Sequence, residues 1–356
     1  MSDKIPAPAV KPASIPAFAL LIVLVLLSVP LVIGFFGRLH PAFDSFAHFR
    51  AHIAAVMAAG GIVLLFTSLR REAAMITLLG LSAFSTTINW SGNAQPAEPA
   101  SGLASGLTSG ESNVTYRLMQ INLQQDNPDP KGVLQAIARQ KPDIITYQEG
   151  SELWQPWLKV LEGNYPYHQQ CSNLPSKWGV GILSRRPFAE FGAPVCTGEG
   201  LLATALVNFG GTNVLVSSLH QSWPWPYKQA SQFDFIKPAL EAMNNPHDIP
   251  VILAGDFNAA PWSYAVRKVE AATNTKHLSG IGPTWLTPQL PASWKQWLGL
   301  PLDQVLINTA VSLRNIKADI PSGSDHLPVL MEFSVPAPVS APVEENQPQS
   351  QEPVKI

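Results

Sequence analysis

Apolar positions are spread unevenly along this chain, and two different patterns divide it. The first 90 residues are dominated by long apolar runs. Ala17 to Phe36 is nearly unbroken and includes LLIVLVLLSVPLVIGFF. A helix over it is long enough to cross a bilayer, which takes roughly 20 residues. Pro30 lies inside this run and predicts a kink. A second apolar segment covers about 53–69 and is followed by Arg70, Arg71 and Glu72. A third, Ala73 to Ile88, is shorter and ends in Ser85, Thr86 and Thr87. Three helices, over about 17–36, 53–69 and 73–88, put Lys4, Lys11, Arg70 and Arg71 on one side and Arg38 and Arg50 on the other. That bias assigns the first side to the cytoplasm. The expectation is a multi-pass inner (cytoplasmic) membrane protein whose remaining chain lies on the periplasmic or extracellular side. Two spans would leave the rest of the chain cytoplasmic, and three are favoured. A cleaved signal peptide fits less well, because the apolar core is too long and no small-residue cleavage pattern follows it.

From Val114 onward the apolar runs are short and bounded by turn residues, as in strands. Tyr116 to Gln124 (YRLMQINLQ) alternates and predicts a strand. Asp129 and Pro130 supply N-cap and first-turn signals for a helix to about Gln140, with Val133, Leu134, Ile137 and Ala138 on one face. Further strands are predicted over Asp143–Gln148, Gly179–Ser184, Leu201–Phe209 and Asn213–Leu219. A helix over Gln229–Met243 aligns Phe233, Ile236, Leu240 and Met243, with a kink at Pro238. Pro250 to Asn258, PVILAGDFN, reads as a buried strand, Val251–Ala254, running into a turn. Strands near Val305–Ile307 and over Val329–Val335 follow. Strands mixed with amphipathic helices make this an α/β domain.

Composition sets the boundaries. Residues 1–16 are Pro/Ala-rich and expected to be disordered. The apolar block 17–90 is the membrane anchor. Residues 91–113, rich in Gly, Ser, Ala and Pro, read as a flexible linker. The domain covers 114–334, and the Pro/Gln/Glu-rich tail 335–356 is expected to be disordered. The net charge of the chain is -2, and 114–334 carries 16 Lys and Arg against 17 Asp and Glu. A dedicated duplex-DNA binder has a basic excess, and this domain has none. Cys171 and Cys196 are either a disulfide formed outside the cytoplasm or two part-buried thiols, and the sequence leaves both open. His48 and His52 have i, i+4 spacing, but flanking apolar helices they read as interfacial residues rather than metal ligands.

Polar residues able to bind a metal recur at the ends of the predicted strands: Asn122, Glu149, His220, Asp256, Asn258, Asp303, Asp325 and His326. Each has a structural explanation alone. Asp256 and Asn258 are ordinary turn formers, Glu149 could be surface charge, and His220 a core histidine. Eight in this order, each after an apolar run, point to a constructed site. A carboxylate and a carboxamide two residues apart at a strand end suit a hard cation and a phosphate oxygen.

As a set these residues resemble the endonuclease/exonuclease/phosphatase superfamily, which includes DNase I, abasic-site endonucleases, inositol-polyphosphate phosphatases and neutral sphingomyelinases. The resemblance covers about Val114 to Ser334. It is carried by Q-I-N (Asn122), Y-Q-E (Glu149), S-L-H (His220), G-D-F-N (Asp256, Asn258), L-D-Q-V-L (Asp303) and S-D-H (Asp325, His326). It implies a four-layer α/β/β/α sandwich of the DNase I-like kind and hydrolysis of phosphoesters with Mg²⁺, or Mn²⁺, as cofactor. By resemblance Glu149 is the main metal ligand, with Asn122 and Asp325 near the ion. His326 is the general base or phosphate-orienting histidine, with Asp303 as its partner. Asp256 is the other candidate for orienting the attacking water, and Asn258 and His220 would donate to the phosphate where charge builds up. Two departures stand out. Gln124 occupies a position that is acidic in several nucleases of the family. No acidic or tyrosine partner for His220 is evident between Cys171 and Ser184.

For the substrate, Trp223, Trp225 and Tyr227 follow His220, and Trp285, Trp294 and Trp297 precede Asp303. Such aromatics insert into a membrane interface, stack on bases, bind sugars or simply pack loops. The expected partners are a lipid bilayer, through the N-terminal helices, and a phosphoester substrate: a phospholipid, a small phosphodiester or nucleic acid. No protein partner is implied. The alternatives are an extracytoplasmic nuclease acting on DNA, which the G-P-T-W segment at Trp285 favours, and an inactive binding or scaffold module, against which the complete motif set argues.

Overall fold

The computed structural model describes residues 14–88, 114–172, 179–244 and 249–337. The expected linker 91–113 and most of the two ends for which disorder is expected fall outside these ranges. The N-terminal part is helical: α1 (Ile15–Ile33), α2 (Pro41–Ala47), α3 (Arg50–Leu64) and α4 (Arg70–Ser85). With the 3₁₀ turn that follows it, α1 extends to Phe36, 22 residues containing an 18-residue window of mean hydropathy 3.0, long and apolar enough to cross a membrane. It continues past Pro30 to Ile33. α2 and α3 meet the same criteria only as a pair, bent by 56°. α4, at 16 residues, is shorter than a usual span. Leu24, Leu31, Met57, Leu64 and Ala73 are buried where these helices meet, while Phe18, Leu26, Ile62, Met75 and Leu78 face outward. Apolar residues on both faces are the mark of a helix surrounded by core or lipid. Gly80 sits against the backbone of Ala54 and Ala58, the close approach that small residues allow.

The rest of the described chain runs β1 (Tyr116–Asn122), α5 (Pro130–Gln140), β2 (Ile144–Gln148), α6 (Gln155–Leu161), β3 (Tyr167–Ser172), β4 (Gly179–Ser184), β5 (Val195–Thr197), β6 (Leu202–Phe209), β7 (Thr212–His220), α7 (Gln229–Glu241), β8 (Val251–Asp256), α8 (Tyr264–Thr273), β9 (Lys276–His277), α9 (Lys295–Leu298), β10 (Asp303–Ile307), β11 (Ser312–Ala318) and β12 (Val329–Ser334). Two six-stranded sheets form, in the orders β11-β12-β1-β2-β4-β3 and β5-β6-β7-β8-β10-β9. Leu118, Ile144 and Ile182 of the first sheet meet Ala205, Val216 and Ile252 of the second in a shared core. The outer face of the first sheet is covered by Val133, Ile137 and Leu158 of α5 and α6. That of the second is covered by Phe233, Ile236, Val266 and Val269 of α7 and α8. This is the four-layer α/β/β/α sandwich expected.

The predicted strands and both long helices are present with small shifts at their ends. α7 contains Pro238 and stops at Glu241, two residues short of expectation. β3, β5, β9, β11, α6, α8 and α9 are additions. α5 ends on Lys141 in the left-handed conformation at φ 47°. Cys171 of β3 and Cys196 of β5 are joined in a disulfide, Cα to Cα 5.4 Å. Because β3 and β5 are edge strands of different sheets, this bond staples the two sheets along one side.

Candidate active site

Alternation along the strands builds the site. On β1, Leu118 faces the inter-sheet core, so Gln120 and Asn122, two and four residues on, face the same way. By the same count Ile252 and Ala254 lead to Asp256, Val216 leads to Ser218 and His220, and Val305 leads back to Asp303. The inter-sheet layer is therefore apolar along most of its length and polar at one end. Register then aligns the polar residues. His220 pairs with Asp256 across β7 and β8, Asp256 pairs with Asp303 across β8 and β10, and Asn122 pairs with Gln148 across β1 and β2. Gly255 in this row has no room for a side chain, since a Cβ would run into the Leu219 carbonyl of the neighbouring strand.

Hydrogen bonds join the two sheets at this end. The Asn122 amide donates to Glu149 Oε1 and to Asp256 Oδ2, at 3.0 Å each. Glu149 Oε2 accepts the Gln125 N–H at 2.9 Å. The Gln120 amide donates to Gln148 Oε1 at 2.7 Å and Asp303 Oδ1 at 2.9 Å, and Gln148 donates to Ser218 Oγ at 3.0 Å. His326 Nδ1 lies 2.8 Å from Asp303 Oδ2, and its Nε2 lies 3.7 Å from Asp256 Oδ2. His220 Nε2 is 3.7 Å from Asp256 Oδ2 and 3.9 Å from Glu149 Oε1. The acidic neighbours of His220 are thus Glu149 and Asp256, not a residue between Cys171 and Ser184. Asn258 has a left-handed backbone, at φ 46°. Its N–H donates to Asp256 Oδ1 at 2.8 Å and its amide to the Gln221 carbonyl at 2.8 Å.

Asp325 lines the same cleft as Glu149, His220 and Asp256. Its Oδ2 accepts the Trp285 indole N–H at 3.0 Å, its N–H donates to Gln124 Oε1 at 2.9 Å, and its carbonyl accepts Lys295 Nζ at 2.6 Å. Gln124, at the position noted above as acidic in several nucleases, therefore orients the Asp325 backbone. Gln124 and Glu149, like Asn258, have left-handed backbones, with φ of 59° and 58°. Strained residues gather where surrounding contacts hold them in place, commonly at functional sites.

Charge balance follows from burial. Burial opposes a charge on His326, but the carboxylates of Asp303 and Asp256 and the hydrogen bond to Asp303 outweigh it and hold its pKa at about 10. Burial pushes the Asp256 carboxyl up to about 7, against the pull of His326. Burial lowers His220, with Glu149 acting in the other direction. The result is an imidazolium paired with one carboxylate, next to a second carboxyl that titrates near neutrality.

The site opens into a cleft of about 910 Å³ that reaches Trp223, Tyr227, Phe235 and Trp285 as well as Glu149 and Asp325. Two groups have ligand atoms mutually within 4.8 Å: Glu149, His220 and Asp256, and Asp256, Asp303 and His326. Asp256, expected only to orient water, belongs to both. Sequence reasoning did not single out Gln120, Gln148, Ser218 or Lys295. Period-2 spacing from Asn122 and His220 is the signal that could have found Gln120 and Ser218.

The Endonuclease/Exonuclease/phosphatase family model matches residues 119–326. UPF0294 protein VP2298 of Vibrio parahaemolyticus serotype O3:K6 is 33% identical over 99 residues, covering 27% of this chain and 32% of that protein. The match spans about a third of the length of that curated relative. Among solved structures, D. rerio TDP2 complexed with a single-strand DNA product is 19% identical at a TM-score of 0.50, over 62% of this chain and 98% of that one. An AP endonuclease from Archaeoglobus fulgidus is 15% identical at a TM-score of 0.48, over 61% and 98%. Likeness at these identities concerns the fold alone.

Proposed function

Because the chain belongs to the endonuclease/exonuclease/phosphatase family, whose model spans 119–326, we propose that it is a divalent-metal-dependent phosphodiesterase. In this reading its N-terminal helices hold it at a membrane, and it cleaves a lipid or other small phosphodiester there. The observation that carries the hydrolase reading is the row His220, Asp256 and Asp303 on adjacent strands, tied by Asn122 to Glu149 and closed by His326.

The donor set fits a hard cation. Glu149 and Asp256 present carboxylate oxygens to one point beside His220, and uncompensated they would repel an anionic phosphate. Mg²⁺ prefers such oxygens and keeps water and phosphate ligands besides. Glu149 and Asn122 would hold it, with Asp325 in the same cleft. When bound, the ion supplies Lewis-acid polarisation of the phosphate. The protein's own residues do the rest. Asp256, ionised above about pH 7, takes the proton of the attacking water. His326, kept cationic by Asp303 and Asp256, donates Nε2–H to a phosphate oxygen as negative charge builds there. His220 borders the same space and orients the other oxygens, while Asn258 holds the Asp256 carboxylate in place through its N–H and its amide.

The near-neutral charge of 114–334 and the outward-facing apolar residues of α1 support a membrane substrate over duplex DNA. The test is full-length protein in detergent with Mg²⁺ or EDTA, beside Asp256→Ala, on phospholipid vesicles and plasmid DNA in parallel. Release of a water-soluble phosphorylated headgroup, lost with EDTA and in the variant, is expected. Nicking of DNA with intact lipid would make the protein a nuclease, and activity on neither would overturn the reading.

A further inference from the structure

The segment between the first two apolar helices is built into the wall of the cleft. Asp44, on α2, is buried, and its two carboxylate oxygens accept the N–H groups of Tyr264 at 2.7 Å and Ala265 at 2.8 Å. These are the first residues of α8, whose unpaired N–H groups attract a carboxylate. One residue before His48, the Ala47 carbonyl accepts the Trp262 indole N–H at 2.7 Å. His48 is fully buried. Its Nε2 lies 3.1 Å from the Asn258 carbonyl and its Nδ1 2.9 Å from the Asp44 carbonyl. Its ring stacks obliquely on Trp223, centroids 5.1 Å apart, and Phe49 reaches the same indole at 6.5 Å. Ser45 Oγ donates to the Trp225 carbonyl at 3.1 Å.

These contacts meet two stretches that the site depends on. Residues 257–263 join β8 to α8 and carry Asn258, whose left-handed backbone needs support from outside. His48 and Gln229, from α7, both address its carbonyl. Trp223 forms part of the cleft wall and leans on Trp285, centroids 6.3 Å apart, which in turn holds Asp325. A path of direct contacts therefore runs from α2 to Asn258 on one side and to Asp325 on the other.

We propose that Asp44 and His48 are positioning residues of the active site, and that the anchor is required for full turnover as well as for location. Asp44 fixes the start of α8, His48 fixes the Asn258 carbonyl and the Trp223 ring, and the Asn258 turn keeps its shape only while α2 is docked. The docking stands on the contacts alone, and its effect on turnover rests on the phosphodiesterase reading above.

The test uses full-length protein in detergent, with Asp44→Ala, His48→Ala, the milder Asp44→Asn, and Ile62→Ala as a control on the outward face of α3. Hydrogen exchange of the peptide covering 257–268 reads docking without any need for activity. The kcat and KM on bis(p-nitrophenyl) phosphate with Mg²⁺ read positioning. Both alanine variants are expected to exchange about tenfold faster in that peptide and to lose about tenfold in kcat, since small displacements of a site are costly. KM should stay within about twofold. Asp44→Asn, which keeps one acceptor oxygen, should recover part of both losses, and Ile62→Ala should change neither. Unchanged exchange in both alanine variants would overturn the docking, and faster exchange with unchanged kcat would overturn the positioning role. If the wild type hydrolyses no phosphodiester, the proposed function fails, and the exchange result still passes or refutes the latch.

Discussion

At the scale of single residues, the site works by setting two ionisations against each other. Asp256 titrates at about 7 because it is buried, and His326 at about 10 because two carboxylates outweigh its burial. The proposed mechanism needs the first ionised and the second protonated, so the rate should rise with pH through about 7 and fall through about 10. Saturating Mg²⁺ favours the Asp256 carboxylate and should move the acid limb down. Asp303→Asn removes the nearest charge that raises His326, and should bring the alkaline limb to lower pH. A limb that stays in place in that variant would mean that His326 is not the group titrating. The same shift has a stability consequence of known sign. A histidine whose folded pKa is raised contributes stability that is complete below its unfolded value near 6.5 and is lost as pH climbs through about 10. In EDTA, the Tm should therefore fall between pH 7 and 10 more steeply for the wild type than for His326→Gln. Gln120 makes a different prediction. It is fully buried, and its amide serves both Gln148 and Asp303. Gln120→Leu fills similar space but strands two buried acceptors, at a cost of about 1–3 kcal/mol, which urea unfolding would read.

At the scale of elements, what could be read from the sequence depended on how apolar each element is. β4, β6 and β8 are near-continuous apolar runs between turn residues and β7 carries an apolar centre, Val214–Val216, and their ends, with His220 and Asp256, were placed to within a residue or two. β3 was not, because an edge strand reading YHQQCS has no apolar face to betray it. α8 also went unread. Its signals are Ser263, whose hydroxyl caps the helix by accepting the Val266 N–H, and the left-handed Asn274 at its end. The order of the site residues was legible because each follows a strand. Their contacts were not, because register decides them: a slip of one residue would turn Asp256 away from Asp303 and His220 alike. For the same reason Asp256 emerged as a neighbour of His220 only from the β7–β8 register, and Glu149 only when the two sheets were seen face to face. The cysteines were likewise undecidable from spacing. Their bond joins the edge strands β3 and β5 across 25 residues, and closing a loop of that size typically stabilises by about 3 kcal/mol. Cys171→Ser with Cys196→Ser should lower the unfolding free energy by about that amount, and should leave the site, at the other strands, with unchanged metal affinity.

At the scale of the whole molecule, the docking of α2 bears on the side of the membrane more directly than any count of spans. From sequence, the location of the domain depended on whether two or three helices cross, since each additional crossing reverses it. The contacts of Asp44 and His48 with Tyr264, Ala265 and Asn258 remove that dependence. α2 follows α1 directly, so a docked domain shares the side on which α1 ends, whatever α3 and α4 do. If α1 crosses, Lys4 and Lys11 lie on the opposite side from the domain, and positive charge retained in the cytoplasm puts the domain outside it. The Cys171–Cys196 disulfide accords with an oxidising compartment. Protease added to intact spheroplasts of cells expressing the full chain should therefore degrade the domain while an epitope at the N-terminus survives until lysis. Protection of the domain until lysis would place it in the cytoplasm. In that event either α1 does not cross or the N-terminus lies outside, and labelling single cysteines introduced before Ile15 would tell these two apart.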